Sequence, residues 1–268
     1  MVAGGLRASG KPTVRLATRL HGVAALSFRM GFDRVAVPTD REWSDIETLN
    51  AALERLRARR RSQVSALEFP RAKIAWKLVG LQQVCLYRTV MLADACASSW
   101  NSGNTLGAMV AARALMETAA VLHDLEAQLT RFCADEDLDA VDDLVMRRTF
   151  ATRLKDWDWE TPATNIFTLL KKMEAPFKGI TNVYELLCEF CHPNSLGTFH
   201  LFAALDRAEL TTYFTEKCHD PEGHFGNIML AFMLIKKVEH DVDRIDELLP
   251  VIVKLNEKVP LLRDKPTE

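Results

Sequence analysis

No run of apolar residues in this chain is long enough to span a bilayer: the longest, Ile228 to Ile235, falls far short of the roughly 18 to 20 residues a membrane helix needs. No export is expected either, because the only apolar stretch near the start, Leu20 to Phe28, follows a long arginine-bearing lead and makes a poor secretory signal. Neither sign of charge is in excess. A net charge of −2 and a pI near 6.4 exclude a whole-protein electrostatic grip on nucleic acid or an anionic membrane and leave only local patches. There is no internal repeat and no low-complexity tract. These absences predict a soluble, cytoplasmic chain with no membrane partner, in which the six cysteines stay reduced.

What is present is apolar material: 48% of 268 residues, enough for a substantial core in one large domain or two small ones. Charge is distributed unevenly. Residues 1 to 32 carry Arg7, Lys11, Arg15, Arg19 and Arg29 and no acid, the first being Asp33. The sequence therefore divides into a basic N-terminal extension, 1–38, and a single helical-bundle domain, 39–262. A phosphate-seeking arm, a transit segment and an extension that merely packs are all open readings of the first part.

The period of the apolar residues is helical from Thr39 onward. Thr39 and Glu42 have capping-box spacing ahead of Trp43, Ile46, Leu49, Leu53 and Leu56, which predicts a helix to about Ser65. Pro70 opens a second helix that runs to the break at residues 101–104, and Asn104 opens a third. The acids of residues 135–143 suit the positive end of a fourth. Thr161-Pro162 starts a short fifth, Thr181 or Asn182 caps a sixth ending at His192-Pro193, and a last long helix covers about His224 to Leu249, with Pro250 kinking or ending it. Residues 156–162, with Trp157 and Trp159, read as a loop. The fold expectation is an all-α bundle of about seven helices, with a small β-hairpin near residues 198–215 turning at Asp206-Arg207.

Two stretches concentrate the chemistry. The first is residues 55–61, where Arg55, Arg57, Arg59, Arg60 and Arg61 form the densest basic cluster in the chain. It suits either a solvated helix end or contact with nucleic acid or an acidic partner. The second is "YELLCEFCHPNSLG", residues 184–197, which three metal chemistries could claim. Cys188, Cys191 and His192 spell a haem-attachment motif, but that needs export. Zinc would need further ligands, with Cys218 and His219 or His224 as candidates, and there is no glycine-rich knuckle around Cys188 and Cys191. Glu189 and His192 form a Glu-x-x-His pair, matched by Glu216 and His219 and by Glu117, as a di-metal carboxylate bundle requires; Glu216 and His219, however, sit in a polar loop. None of the three ligand sets is complete in a suitable context, so the expectation is no metal and no cofactor. On a helical wheel Tyr184, Leu187, Cys188 and Cys191 share one face and Glu189 with His192 a neighbouring one.

"RALME", Arg113 to Glu117, and "YELLCEFCHPN", Tyr184 to Asn194, together resemble helical bacterial proteins of the HEPN superfamily, over roughly residues 75–200. The resemblance implies an α-helical bundle, often a homodimer, that contacts RNA or a protein partner in a defence or toxin setting; many such proteins cut RNA with an Arg-x(4–6)-His pair on one helix. Here the positions that should hold that arginine ahead of His192 are Glu185, Leu186 and Leu187, and the only formal match is Arg15 to His21 in the extension. The candidate catalytic set is therefore Arg113, Glu117, Glu189, His192 and Asn194. In an RNA-cleaving site His192 would transfer a proton and Arg113 would stabilise phosphate charge. The same residues, four apart on one helix and three apart on another, equally suit a salt-bridge clasp between two helices. Both readings predict one shared polar cluster. A non-catalytic helical interaction protein and a di-metal carboxylate bundle are the alternatives.

Overall fold

Helices account for almost all of the regular structure, as the apolar periodicity predicts. The computed structural model describes residues 31–32, 40–152, 162–216 and 219–258. In order these form α1 (Asp40–Ala58), a 3-10 turn (Ala66–Glu68), α2 (Lys73–Asn101), α3 (Thr105–Ala134), α4 (Leu138–Phe150), α5 (Ile166–Lys172), α6 (Ile180–Cys191), α7 (Phe199–Phe202), β1 (Ala203–Asp206), β2 (Thr211–Phe214) and α8 (Pro221–Glu257). The hairpin pairs Ala203 with Phe214 and Asp206 with Thr211. Its tip is held by the Asp206 carboxylate, which accepts from the backbone N–H of Ala208 at 2.9 Å and of Glu209 at 3.0 Å.

The bundle is built around α3, which packs on α2 and α8 along most of its length and on α4, α5 and α6 at its margins. Leu115, Met116, Leu122 and Leu125 of α3 are fully buried against Leu78 and Leu86 of α2 and Phe225 and Phe232 of α8. Over its most apolar 18 residues α3 reaches a mean hydropathy of 1.4, apolar enough to cross a membrane, and 56% of that window is buried in the protein. Counting uninterrupted runs missed this because Arg113 and Glu117 break the sequence of apolar residues. Phe32, in the stretch expected to be extension, is a core residue: its ring lies edge-on to Phe232 at 4.7 Å and to Phe225 at 5.6 Å. Asn50 fastens the backbone there, accepting from Phe32 N at 3.3 Å and donating to Phe32 O at 3.4 Å.

Element ends differ from expectation for local reasons. α1 stops at Ala58 rather than near Ser65. The expected cap, Thr39, lies outside the described residues; a capping box forms at Ser65 and Glu68 on the 3-10 turn. α5 starts at Ile166 under an Asn165 cap, not at Pro162, which bridges to Thr152. Neither Thr181 nor Asn182 caps α6. Gly179, at φ 84°, holds that position, and the Glu174 carboxylate accepts from the N–H groups of Gly179 and Thr181 at 2.6 and 3.2 Å. α8 begins at Pro221, capped by Asp220, and passes through Pro250 to Glu257. Proline forfeits one helical hydrogen bond, but Ile252 and Leu255 beyond it are buried, so packing holds the last turns in helical form.

Candidate functional site

Arg113 and Glu117 stand one turn apart on α3, their charged groups 3.4 Å apart, and they meet α6 through Tyr184. The Tyr184 hydroxyl donates to Glu117 Oε1 at 2.8 Å and lies 3.5 Å from Arg113 Nη2, whose guanidinium carbon sits 5.6 Å from the tyrosine ring centre. Burial raises the Tyr184 pKa and Glu117, accepting the hydroxyl's hydrogen bond, adds to the rise, while Arg113 opposes it. Burial acts to lower the Arg113 pKa, but Tyr184 and the nearby negative charge outweigh it and the net shift is upward. Arg113 Nε is buried without a hydrogen-bond partner.

Beside this trio opens a cavity of about 380 Å³ lined by Cys85, Arg88, Arg113, Glu117, Thr118, Val121 and Ile166. Arg88 reaches it from α2, its Nε donating to Thr118 Oγ1 at 3.0 Å. Among the described residues Arg88 has no acidic partner, so two guanidiniums face one cavity against a single carboxylate. Sequence reasoning missed Arg88, Thr118 and the polar role of Tyr184. Nothing in the spacing of α2 distinguishes Arg88 from any other exposed arginine, and Tyr184 falls on a face that otherwise reads as core.

The other half of the expected cluster lies apart from this one. Glu189 is exposed and accepts from Asn194 Nδ2 at 2.5 Å. Asn194 Oδ1 accepts from Gly197 N at 3.0 Å, and Asn194 N donates to His192 O at 2.8 Å. His192 itself ends α6 in extended backbone with an exposed side chain. No hydrogen bond or ion pair joins Glu189, His192 or Asn194 to Arg113 or Glu117 among the described residues. The five residues thus form two groups, because Tyr184 and Cys191, not Glu189, occupy the face of α6 turned to Arg113. Burial raises the Cys191 thiol pKa and Arg113 opposes that rise. The His-Pro-Asn element works as a helix stop: a Cβ on Gly197 would lie 1.9 Å from the carbonyl oxygen of His192.

Apart from Arg60, the arginines of the basic cluster are paired to carboxylates within the chain. Arg55 forms a two-point pair with Glu239 at 2.6 and 2.9 Å, and Arg57 does the same with Asp94 at 2.9 and 2.6 Å. Arg59 spans Asp243 at 2.5 Å and Asp246 at 2.6 Å. Arg60 lies 5.0 Å from the Tyr87 ring centre, and Arg61 pairs with Glu68. These contacts tie the end of α1 to α2 and α8, so four of the five arginines are held by carboxylates of the chain itself.

The expected metal-ligand residues do not gather. Cys218 lies outside the described residues, and among the described ones Cys188, Cys191, Glu117, Glu189, His192, Glu216 and His219 form no three-ligand cluster. An apolar groove of about 540 Å³ on α2, lined by Val64, Trp76, Val84, Tyr87, Met146 and Phe150 among others, offers little polar chemistry. Compared with known proteins, the chain matches no family model, no curated protein and no solved structure.

Proposed function

We propose that this chain is a HEPN-like protein that contacts RNA, with Arg88 and Arg113 taking a phosphate in the cavity between α2 and α3. One observation carries the reading: two guanidiniums without full acidic compensation line one cavity, while Arg55, Arg57, Arg59 and Arg61 are all paired to carboxylates. Guanidinium presents a planar fork of donors that fits phosphate oxygens at two points. The buried Arg113 Nε has no acceptor among the described residues, and an unmet buried donor costs about 1–3 kcal/mol. Glu117 and Tyr184 hold the Arg113 side chain, so little conformational freedom is left to lose on binding.

The reading is one of binding, within the defence or toxin setting the resemblance implies. His192, the residue expected to move a proton, shares no hydrogen bond with Arg113. The test is a titration of labelled single-stranded RNA over a range of salt concentrations. Changing Arg88 to Gln should flatten the dependence of log affinity on log salt by about one unit, and adding Arg113→Gln by about one more. Arg88 is exposed and its removal leaves the core intact, so that variant remains informative if Arg113→Gln unfolds. No binding by the wild type, or the same slope in Arg88→Gln, would overturn the proposal.

A further inference from the structure

Where α3 crosses α8, three metal-ligating side chains gather away from the Arg88–Arg113 cavity. His123 and Glu126 are three apart on α3 and share a face; Asp241 faces them from α8. One ligand atom from each lies within 4.8 Å of the other two. Asp241 is fully buried, with a side-chain exposure of 0%, while His123 and Glu126 are 17% and 14% exposed. Asp241 Oδ2 and His123 Nδ1 are both buried with no hydrogen-bond partner among the described residues.

Buried carboxylate oxygens almost always find a donor, and a native exception calls for an ion, a water or a functional role. Lys237 pairs with the other oxygen of Asp241, Oδ1, and His123 Nδ1 stands 4.0 Å from that same atom. Glu126 Oε1 accepts from Thr130 at 3.0 Å and has Arg244 Nε at 3.9 Å. These cations offset the two negative charges, yet neither meets Oδ2 or the imidazole lone pair. A divalent cation takes both.

We propose that His123, Glu126 and Asp241 bind one divalent transition-metal ion, with Zn²⁺ as the fitting representative. One imidazole nitrogen with two carboxylate oxygens suits borderline cations such as zinc; copper(I) prefers thiolates and magnesium an all-oxygen set. Ligand atoms sit about 2.0–2.2 Å from zinc, so small side-chain rotations close the triangle. Three protein ligands leave a coordination position for water, and the ion links the two longest packed helices of the bundle. Lys237 competes with the metal for Asp241, because its long stem lets the ammonium turn outward.

The experiment is calorimetric titration of chelator-stripped, full-length protein with ZnCl₂. The wild type should bind one equivalent. Because loss even of a partner behind a ligand weakens metal sites by about 10–100-fold, His123→Gln and Glu126→Gln should each weaken binding by about 100-fold or more. Both residues are partly exposed, and circular dichroism is the check that each variant folds. Lys237→Met should tighten binding, which a purely structural ion-pair cluster would not show, and replacing Cys188 and Cys191 with Ser should leave it unchanged. Cobalt(II) in the same site should give ligand-field bands without a thiolate charge-transfer band. Absence of saturable one-equivalent binding, its persistence in His123→Gln, or its loss with the two cysteines would overturn the assignment.

Discussion

Replacing Gly197 with alanine separates a structural His-Pro-Asn turn from a chemical one. The added Cβ would stand 1.9 Å from His192 O and 2.6 Å from Phe190 O, and both neighbours are backbone atoms that cannot rotate away. The turn has to open. Opening breaks the Gly197 N to Asn194 Oδ1 and Asn194 N to His192 O bonds and frees Asn194 from Glu189. At about 0.5–1.5 kcal/mol for each of the two neutral bonds, and at most ~1 kcal/mol for the exposed contact to Glu189, the loss comes to roughly 1–4 kcal/mol. For a chain of this size about 2 °C of melting temperature accompanies each kcal/mol, so the midpoint should fall by roughly 2–8 °C. Urea unfolding followed by circular dichroism gives the free energy and differential scanning calorimetry the midpoint. Asn194→Ala should lose about half as much, since it removes the two side-chain bonds but leaves the backbone bond to His192 O and introduces no clash. If Gly197→Ala stays within ~0.5 kcal/mol of wild type, a typical neutral surface substitution, the helix-stop account of this element is wrong.

Three further outcomes are expected. Burial pushes the Cys85 thiol to about 11 and the Cys96 thiol to about 12. Both pKa values lie above the ordinary thiol value, so unfolded chains lose these protons first: stability is fully present below about pH 8.5 and falls by about 1.4 kcal/mol per pH unit per thiol as pH rises toward the folded values. Changing Cys96 to Ala should make that alkaline decline shallower in denaturant titrations, and an unaltered slope would refute it. Phe32→Ala should destabilise by about 3–5 kcal/mol, because the ring is 2% exposed between Phe225 and Phe232; a change under ~1 kcal/mol would remove this segment from the core. Arg57→Gln with Arg59→Gln should lower stability by about 1–2 kcal/mol through half-exposed pairs without altering the salt dependence of RNA affinity, whereas a flattened slope would return the cluster to the binding surface.

Helical periodicity, the Asn104 and Asp137 caps and the His192-Pro193 stop are local signals, because each is settled by residues within a turn of one another. That locality made the all-α class, the cores of the main helices and the small hairpin legible in advance. Even the pairing of Arg113 with Glu117 follows from four-residue spacing on one helix. Where long-range packing competes with a local rule, the sequence misleads. Pro250 should end a helix, but buried Ile252 and Leu255 carry α8 past it. The arginines of residues 55–61 look like one patch only because their carboxylates, Asp94, Glu239, Asp243 and Asp246, lie far along the chain. The polar sites are likewise tertiary. Glu189 and His192 share a helix face with each other, but the rotation of α6 turns Tyr184 and Cys191 toward Arg113 instead. His123, Glu126 and Asp241 meet only where α3 crosses α8. Spacing along a helix specifies which side chains share a face; which face meets which is set by the burial of apolar surface across the whole bundle, and that sum has no signature in any single stretch.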